Sequence, residues 1–340
     1  MAAELIRGYL PDDADAWDDL VARSVNGTML HTRRYLSYHG DRFRDRSLLV
    51  TNSRGWPIGV FPAADDPASA SVVTSHPGLT YGGLVHDGSL TGASMMRVLT
   101  GIAGHYREIG LARLRYKALP QIYQTRPAAD DLHALYRLGA SRYSCDLAAA
   151  ISLSSRGRVA ASRRQRRRRA ETAGVQVGEG WPDAARYWQV LEGNLGRRHG
   201  ATPTHSLAEI GYLHDRFPKE IILLTAKIGD ELVGGNLFTA EGRVLQVRYT
   251  ATTETGRAVC ATDLVVERGI ALASELGCRY FSFGTSTMQA GHELNEPQYD
   301  FKISFGAGGV THDSYELGLD LRPPSGGPPA DPSHPRQLPA

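Results

Sequence analysis

The feature that most constrains the fold of this chain is a set of predicted elements that occurs twice in the same order. In each half, hydrophobic periodicity predicts a hairpin, a further extended segment, a long helix and a strand directly after the helix. In the first half these lie at residues 48–50, 58–61, 81–84, about 93–110 and 114–117. In the second half they lie at residues 221–226, 232–238, 244–249, 263–276 and 280–283.

The spacing between the two sets is nearly constant. Leu223 lies 175 residues after Leu48, and Gly277 lies 167 residues after Gly110. Both glycines follow a predicted helix, at the position where glycine commonly ends one. Such elements also recur by chance in α/β chains, but the constant spacing favours two copies of one α/β module.

The length and composition allow this organisation. A chain of 340 residues with 41% hydrophobic content can form two ordinary domains. We therefore predict an α/β protein with mixed sheets, in which an N-terminal module (1–150) and a C-terminal module (151–320) pack around a shared cleft. The residues from Pro323 onward are rich in proline and glycine, so a disordered tail is predicted at 321–340.

Charge, cysteine content and hydropathy exclude several classes of protein. The net charge is only +2, so nucleic-acid binding would require a local basic patch. Cys145, Cys260 and Cys278 lie far apart without CxxC spacing, which argues against a zinc site or a disulfide framework and favours a reducing compartment. No stretch approaches the roughly 20 apolar residues that span a bilayer, and the first residues lack the pattern of a signal peptide. We expect a cytoplasmic protein without membrane insertion.

A dense run of arginines opens the C-terminal module. Ser154 or Ser155 can cap a helix that continues to Ala173 and is closed by Gly174. Residues 163–169 contain six arginines in seven positions. They extend over about two helical turns and cannot all lie on one exposed face, so some must face a partner or a cleft. Contact with phosphate or nucleic acid is favoured because the planar guanidinium of arginine can donate two parallel hydrogen bonds to a phosphate. A solvated helix and docking to an acidic partner are the alternatives. The candidates for binding donor phosphate or RNA are Arg163, Arg164, Arg167 and Arg168.

The motifs around and after this helix resemble a known family. They are Ala-Glu-Thr-Ala-Gly-Val from Ala170, Trp-Gln-Val-Leu from Trp188, Arg198-His199, Pro-Thr-His-Ser-Leu-Ala-Glu-Ile from Pro203 and Phe-Lys-Ile-Ser-Phe-Gly from Phe301. With them the chain resembles the tandem-GNAT acyltransferases that include the Fem-type peptidoglycan-bridge aminoacyltransferases. The match covers about residues 150–318 and extends to the N-terminal half through the repeat. It implies two tandem GNAT-like modules.

The resemblance also assigns individual residues. The lysine of the family's aromatic-Lys-x-x-Phe motif falls on Lys302. A basic helix of the form Lys-x-Arg-x-x-x-Arg before Ala-x-x-x-Gly-Val is matched by Arg163, Arg167, Ala170, Gly174 and Val175.

One departure concerns the acyl donor. Many GNAT acetyltransferases hold the pyrophosphate of coenzyme A with a Gln/Arg-x-x-Gly-x-Gly/Ala loop at a helix N-terminus. The corresponding residues 255–261 lack that spacing. This weakens the case for acetyl-CoA and leaves an aminoacyl-tRNA donor open.

Three residues are predicted to carry the chemistry. Amide formation by acyl transfer needs a neutral amine, a stabiliser of the oxyanion and a donor ester or thioester held in line. We expect Lys302, on a predicted final strand, to stabilise the developing negative charge. His199 and His205 are candidate general bases because histidine titrates near neutral pH, although capping and packing explain them equally well. Thr204 is the expected cap of the helix that follows His205.

The strand predicted at 244–249 supplies further candidates. Side chains alternate along a strand, so Gln246 and Arg248 are expected on one face, away from a core face formed by Leu245, Val247 and Tyr249. These two side chains would then point towards solvent or towards a cleft between the modules. In a splayed GNAT sheet this strand lines the donor slot, which makes Gln246 and Arg248 candidates for substrate binding, with plain surface positions as the alternative.

Further substrate-binding candidates are Tyr249, Ser286 and Asn295. The last two follow the strand that ends at Gly284, where polar loop residues are well placed to meet a substrate. No metal site is predicted, because His292, Glu293 and Asp300 lack the spacing of a ligand set.

The sequence favours an enzyme that moves an aminoacyl group from aminoacyl-tRNA to an amine of a peptide-like or secondary-metabolite acceptor. Such peptide-bond formation belongs to cell-wall or antibiotic biosynthesis. One alternative is an acyl-CoA-dependent N-acyltransferase acting on a small amine metabolite. Another is a non-enzymatic RNA-binding protein on a degenerate GNAT body. No tightly bound cofactor is expected, because the acyl donor, aminoacyl-tRNA or acyl-CoA, acts as a co-substrate.

Overall fold

The computed structural model describes residues 4–320, apart from the side chains of residues 198 and 199. The tail predicted at 321–340 lies outside the described residues. The strands are β1 (Leu5–Gly8), β2 (Leu48–Thr51), β3 (Pro57–Phe61), β4 (Ala64–Asp66), β5 (Ser69–Thr74), β6 (Val85–His86), β7 (Arg113–Lys117), β8 (Ser141–Ser152), β9 (Gln176–Glu179), β10 (Ile221–Ile228), β11 (Glu231–Glu241), β12 (Val244–Thr252), β13 (Tyr280–Thr285), β14 (Thr287–Met288), β15 (Glu293–Leu294) and β16 (Gly308–Gly318). The α-helices are α1 (Ala14–Arg23), α2 (Arg33–Leu36), α3 (Gly92–Glu108), α4 (Asp130–Arg137), α5 (Ala161–Thr172), α6 (Ala184–His199), α7 (Leu207–Arg216), α8 (Glu254–Ala258), α9 (Ala261–Glu275) and α10 (Glu296–Ile303).

The mixed α/β fold predicted from the sequence is confirmed, and the repeat is visible in it. Strand β5, helix α3 and strand β7 form one unit in which the two strands pair in parallel, and β12, α9 and β13 form another. Both helices are followed by a glycine in the left-handed region, Gly110 at φ +87° and Gly277 at φ +72°. A side chain would be strained at either position. The segment predicted to be extended at 81–84 forms no regular strand, and β6 follows it.

A single sheet of ten strands joins the two halves, in the order β4-β5-β7-β16-β8-β13-β12-β11-β10-β9. Strand β16 comes from the end of the chain but lies between β7 and β8, where Tyr315 pairs with Tyr116 of the first half. The boundary predicted after residue 150 falls inside β8, which pairs with both β16 and β13. The other strands form a four-stranded sheet, β1-β2-β3-β6, and the small pair β14-β15.

The C-terminal part of the large sheet carries an apolar layer on each face. Phe238, Leu245 and Phe281 pack with α9 on one face. Leu237 and Val244 belong to the core on the other face, which includes residues of α6 and α7. Full burial of each such side chain contributes roughly 1.5–3 kcal/mol. Because both faces are covered, a polar side chain on either face must have a partner or face a cavity.

The arginine helix begins later than predicted. Neither Ser154 nor Ser155 caps it; α5 starts at Ala161, with Ala160 at the N-cap. The preceding residues are held against another part of the chain, because the backbone N–H of Gly157 donates to the Gly306 carbonyl oxygen at 3.0 Å. A Cβ on Gly157 would lie 2.9 Å from that oxygen, so glycine permits the close approach.

Candidate active site

The large sheet opens between β12 and β13. The two strands pair in parallel only where Val244, Leu245 and Gln246 face residues 280–282. Beyond this point they separate, and β12 also contains a bulge, since Leu237 pairs with Tyr249 whereas Phe238 pairs with Val247. Arg248 is the additional residue in β12. A bulge bends its strand and increases the local twist, which helps to hold the sheet open.

A cavity of about 1220 Å³ lies at this opening and is lined from both faces of the sheet. Val247, Thr250 and Thr252 line it on the α9 face, together with the start of α9. Leu237 and Tyr249 line it on the opposite face, together with residues of α6, α7 and the first half of the chain. The opening therefore connects two compartments, which we call the α9 side and the α7 side.

Because of the bulge, the side chains of β12 do not alternate between the two faces of the sheet as predicted. Val247 packs in the core under α9, as Leu245 does, but Tyr249 packs against Trp188 on the opposite face, with ring centroids 5.5 Å apart. One extra residue reverses the orientation of every side chain after it. Tyr249 therefore lies on the same face as Gln246, which the regular period of a strand did not predict.

Lys302 lies in the wall of the cavity. Its residue is 5% exposed, and its ammonium Nζ donates to the carbonyl oxygens of Gly284 at 3.0 Å and Thr285 at 2.6 Å. Burial lowers the pKa of Lys302 to about 8. An ammonium has three N–H groups, and these two bonds leave one without a partner among residues 4–320. Lys302 can thus present a positive charge and one donor at the open edge of β13.

Lys302 belongs to a helix and not to the final strand that was predicted. Asn295 accepts a hydrogen bond from the backbone of Gln298 and caps α10, and Pro297 lies in the first turn. Phe301, Ile303 and Phe305 alternate as in a strand, which explains the wrong prediction. The final strand is β16.

Arg248 is held in the cavity by a buried carboxylate. Its guanidinium forms an ion pair with Glu241, whose side chain is 0% exposed, and Nε donates to Thr239 Oγ1 at 2.9 Å. Burial disfavours the charge of Arg248, but the nearby Glu241 outweighs this effect and the pKa is raised. The hydroxyl of Tyr81, from the first half of the chain, also donates to Glu241.

Gln246 is likewise bound to the first half. Tyr123 Oη donates to Gln246 Oε1 at 2.6 Å, and both residues are buried. Arg248 makes a similar connection, because its Nη1 donates to Thr80 Oγ1 at 3.0 Å. Both Gln246 and Arg248 line the cavity.

His205 lies between two tyrosines on the α7 side. Its Nδ1 is 2.8 Å from Tyr249 Oη, and its Nε2 is 3.2 Å from Tyr38 Oη. Burial, reinforced by the charge of Arg248, lowers the pKa of His205 and favours the neutral ring. All three rings line the cavity, so a proton can pass between the Tyr249 hydroxyl and the imidazole.

Other sequence candidates lie elsewhere. Ser286 is 2% exposed and does not line the cavity, and Asn295 caps α10 and does not line it either. The helix after His205 is capped by Ser206, which forms a capping box with Glu209, so the prediction of Thr204 as cap was wrong. The side chain of His199 lies outside the described part of the chain.

Three residues near the cavity were missed by the sequence analysis. Glu241 precedes Gly242 at the end of a hairpin, where a carboxylate resembles an ordinary turn residue. Tyr81 and Tyr123 lie in irregular segments of the first half. No local pattern marks the two tyrosines, because Tyr81 is 160 residues from Glu241 and Tyr123 is 123 residues from Gln246 in the chain. The local signal that was overlooked is Asn236, a polar residue inside the apolar strand β11.

Comparisons with known proteins bear on both chemistry and fold. The family model for the acetyltransferase (GNAT) domain matches residues 156–302. FemX has the same fold, with a TM-score of 0.63 at 13% identity, covering 92% of this chain and 97% of that one. Residues 156–302 thus resemble a GNAT acetyltransferase domain, and the chain as a whole shares the fold of FemX. L-PGS from Bacillus licheniformis is also similar in fold, with a TM-score of 0.60 at 13% identity, covering 91% of this chain and 92% of that one. Comparison with curated protein sequences gives no match.

The arginine helix of this chain does not present all its arginines to solvent. Arg163 turns inward, where Nη1 binds Asp263 Oδ1 at 2.9 Å and Nε donates to Ser304 Oγ at 2.7 Å. The Arg163 guanidinium is therefore engaged within the protein, which argues against its predicted role in binding phosphate or RNA. Arg166 lines the cavity. The exposed members of α5 that the sequence analysis selected are Arg164, Arg167 and Arg168.

Residues 255–261, which lack the spacing of a coenzyme A loop, belong to two helices and the turn between them. Helix α8 is separated from α9 by Cys260, which adopts the left-handed conformation at φ 63°. No side chain of the described residues caps α9. Arg257 and Thr262 line the cavity beside this helix start. A helix N-terminus with a neighbouring arginine suits an anionic group.

Two further structural findings apply to the described residues. Within residues 4–320, no group of three or more His, Cys, Asp or Glu side chains could hold a metal ion. No helix in that range is long and apolar enough to cross a bilayer.

Proposed function

We propose that this protein is an acyltransferase that moves an aminoacyl group from aminoacyl-tRNA to the amine of a peptide-like acceptor. The observation that carries the proposal is the cavity that passes through the open sheet, with Lys302 at the opening and arginines on one side of it. Two substrates that approach from opposite faces of the sheet meet beside Lys302. Such an arrangement favours direct transfer between them.

The donor would occupy the α9 side. The cavity there contains the start of α9 together with Arg166 and Arg257, and the exposed arginines of α5 continue this basic surface away from the cavity. This supports a donor with a phosphate near its reactive end and further phosphates beyond the cavity. Transfer RNA has both, and the absence of the coenzyme A spacing at 255–261 supports it further.

The acceptor would occupy the α7 side, where its amine attacks the ester carbonyl of the donor. A C–N bond forms, and the C–O bond to the terminal ribose breaks. Lys302 stabilises the negative charge on the carbonyl oxygen through its third N–H. The amine loses a proton through the Tyr249 hydroxyl to neutral His205. The ribose oxygen takes a proton from water as the C–O bond breaks, and the imidazolium of His205 then returns its proton to water. No covalent intermediate is needed.

A second candidate function is supported by the uncapped start of α9. Acyl-CoA could place its pyrophosphate there, and the transfer would then acylate a small amine. In that case the exposed arginines of α5 would play no part in donor binding.

The two functions differ in which donor binds. We expect the purified protein to bind bulk tRNA with micromolar affinity, without binding acetyl-CoA. Replacing Arg164, Arg167 and Arg168 together with Ala should weaken tRNA binding, because about three phosphate contacts are lost. The salt slope, which is the slope of the logarithm of the binding constant against the logarithm of the salt concentration, should become less steep by about two to three. Fluorescence titrations at several salt concentrations measure both quantities.

The matched control replaces Arg44, Arg54 and Arg107, which are exposed in the first half, and so removes the same charge elsewhere. Its salt slope should stay close to that of the wild type. Acetyl-CoA binding without tRNA binding would reject the tRNA donor and support the second candidate.

The proton route gives a separate prediction. Tyr249→Phe and His205→Ala should each lower the turnover number by about a hundredfold or more, the lower end of what general base catalysis contributes. The double variant should be no slower than the slower single variant, because both residues serve one route. Steady-state rates at saturating acceptor measure this.

His214→Ala is the control for the loss of a histidine. His214 stacks on Trp181 with ring centroids 3.6 Å apart and does not line the cavity. His214→Ala should leave the turnover number near that of the wild type. Additive losses in the Tyr249 and His205 double variant would contradict the shared route.

A further inference from the structure

Asn236 is a buried polar side chain in an apolar layer. It is 1% exposed, and neither its Oδ1 nor its Nδ2 has a hydrogen-bond partner within residues 4–320. Its cross-strand partner Leu224 and the next residue on the same side of β11, Phe238, both belong to the core under α9. A buried amide without partners destabilises a fold, and leucine of similar size would remove that cost. The amide therefore indicates a ligand.

Asn236 lines the α9 side of the cavity. It pairs across strands with Thr250 of β12, which lines the same compartment. Thr250 lies three residues along β12 from Val247, and the Val247 backbone is next to Gly284, whose carbonyl oxygen binds Lys302. At the rise of a strand this places the amide about 10 Å from the Lys302 end of the cavity.

We propose that Asn236 recognises the adenine edge of the terminal nucleoside of the donor. This inference rests on the proposed aminoacyl-tRNA donor. A carboxamide offers an acceptor and two donors in one plane, and it pairs bidentately with the N6 amino group and N7 of adenine. In an aminoacyl-tRNA the reacting ester is carried by the ribose of the terminal adenosine, so the base lies one sugar away from the carbonyl that faces Lys302.

The position of Asn236 suits this donor better than acyl-CoA. The distance to Lys302 is comparable to the span of one nucleoside. In acyl-CoA the whole phosphopantetheine arm separates the adenine from the thioester, which would place the base much farther from Lys302. An adenine bound to Asn236 thus belongs to a donor whose base and reacting ester share one ribose.

The test compares the binding of two tRNA preparations that differ only in the 3′-terminal nucleoside. Bulk tRNA is rebuilt with either adenosine or purine riboside as the last nucleoside, the latter lacking only the 6-amino group. Wild-type protein should bind the adenosine end roughly tenfold more tightly. Asn236→Leu should bind both ends equally and weakly. Its thermal stability should equal or exceed that of the wild type, because leucine leaves no buried amide without a partner.

Asn194→Leu is the matched control. Asn194 is another buried asparagine of this cavity, but its Nδ2 already donates to the Val190 carbonyl oxygen at 2.7 Å. This variant should keep the preference for adenosine. If the wild type shows no preference, or if Asn236→Leu keeps it, the assignment of Asn236 is wrong although tRNA binds. If the wild type binds neither tRNA, the aminoacyl-tRNA donor and the role of Asn236 are both rejected.

Discussion

Replacing Lys302 with Met is expected to lower the turnover number at least about tenfold, because the transition state loses roughly 1.4 kcal/mol or more of charge stabilisation. The expectation rests on an ammonium that is fixed by two carbonyl oxygens and directed at the opening of the sheet. The Michaelis constant of either substrate should change less, because the interaction strengthens as the oxyanion forms. Steady-state kinetics with each substrate varied in turn measures both parameters.

The pH dependence gives a second readout for Lys302. Its pKa is lowered by burial to about 8, so the ammonium is present below that pH and is lost above it. Wild-type turnover at saturating acceptor should therefore fall as the pH rises through about 8. Lys302→Arg should remove this fall, because arginine stays charged. Turnover in Lys302→Met equal to that of the wild type would exclude Lys302 from the chemistry.

Lys117 offers a matched control for the loss of a buried lysine. Its pKa is also lowered by burial to about 8, and its Nζ donates to the carbonyl oxygens of Leu79 at 2.7 Å and Pro77 at 3.1 Å. Lys117 does not line the cavity. Lys117→Met should lower stability as Lys302→Met does but reduce turnover much less. Equal losses of turnover would mean that a general loss of packing explains both.

Replacing Glu241 with Ala is expected to lower the free energy of unfolding by about 3–5 kcal/mol, since it leaves the buried guanidinium of Arg248 without its counter-charge. Glu241 is 0% exposed and also binds Thr239 Oγ1 at 2.5 Å and the Tyr81 hydroxyl, so the loss affects both halves of the chain. Urea denaturation measures the change.

Two variants control this experiment. Glu275→Ala removes the carboxylate of the exposed pair with Arg268 and should cost less than about 1 kcal/mol. The double variant Glu241→Leu, Arg248→Met should recover much of the stability, because apolar residues can replace a buried pair, but should not recover substrate binding. A cost for Glu241→Ala as small as for Glu275→Ala would show that Arg248 does not depend on the pair.

The sequence was most informative where neighbouring residues carry the signal. The hairpins β2-β3 and β10-β11, the helices α3 and α9 and the glycines after both helices follow from periodicity and turn chemistry, which act over a few residues. Strand β5 was missed because it is short and polar at its start, and it is stabilised by pairing with β7, some forty residues later in the chain. Lys302 was singled out by its motif, but the strand assigned to it was wrong.

By itself, the sequence determined the repeated α/β order and the clustering of arginines at the start of the C-terminal half. Only the tertiary structure decided that β16 returns to pair with β7, that the bulge at Arg248 turns Tyr249 towards Gln246, and that Arg163 faces inward. The reason is physical. Periodicity and turn residues act through adjacent positions, whereas strand order, a bulge and a buried ion pair depend on groups that meet only after the chain has folded.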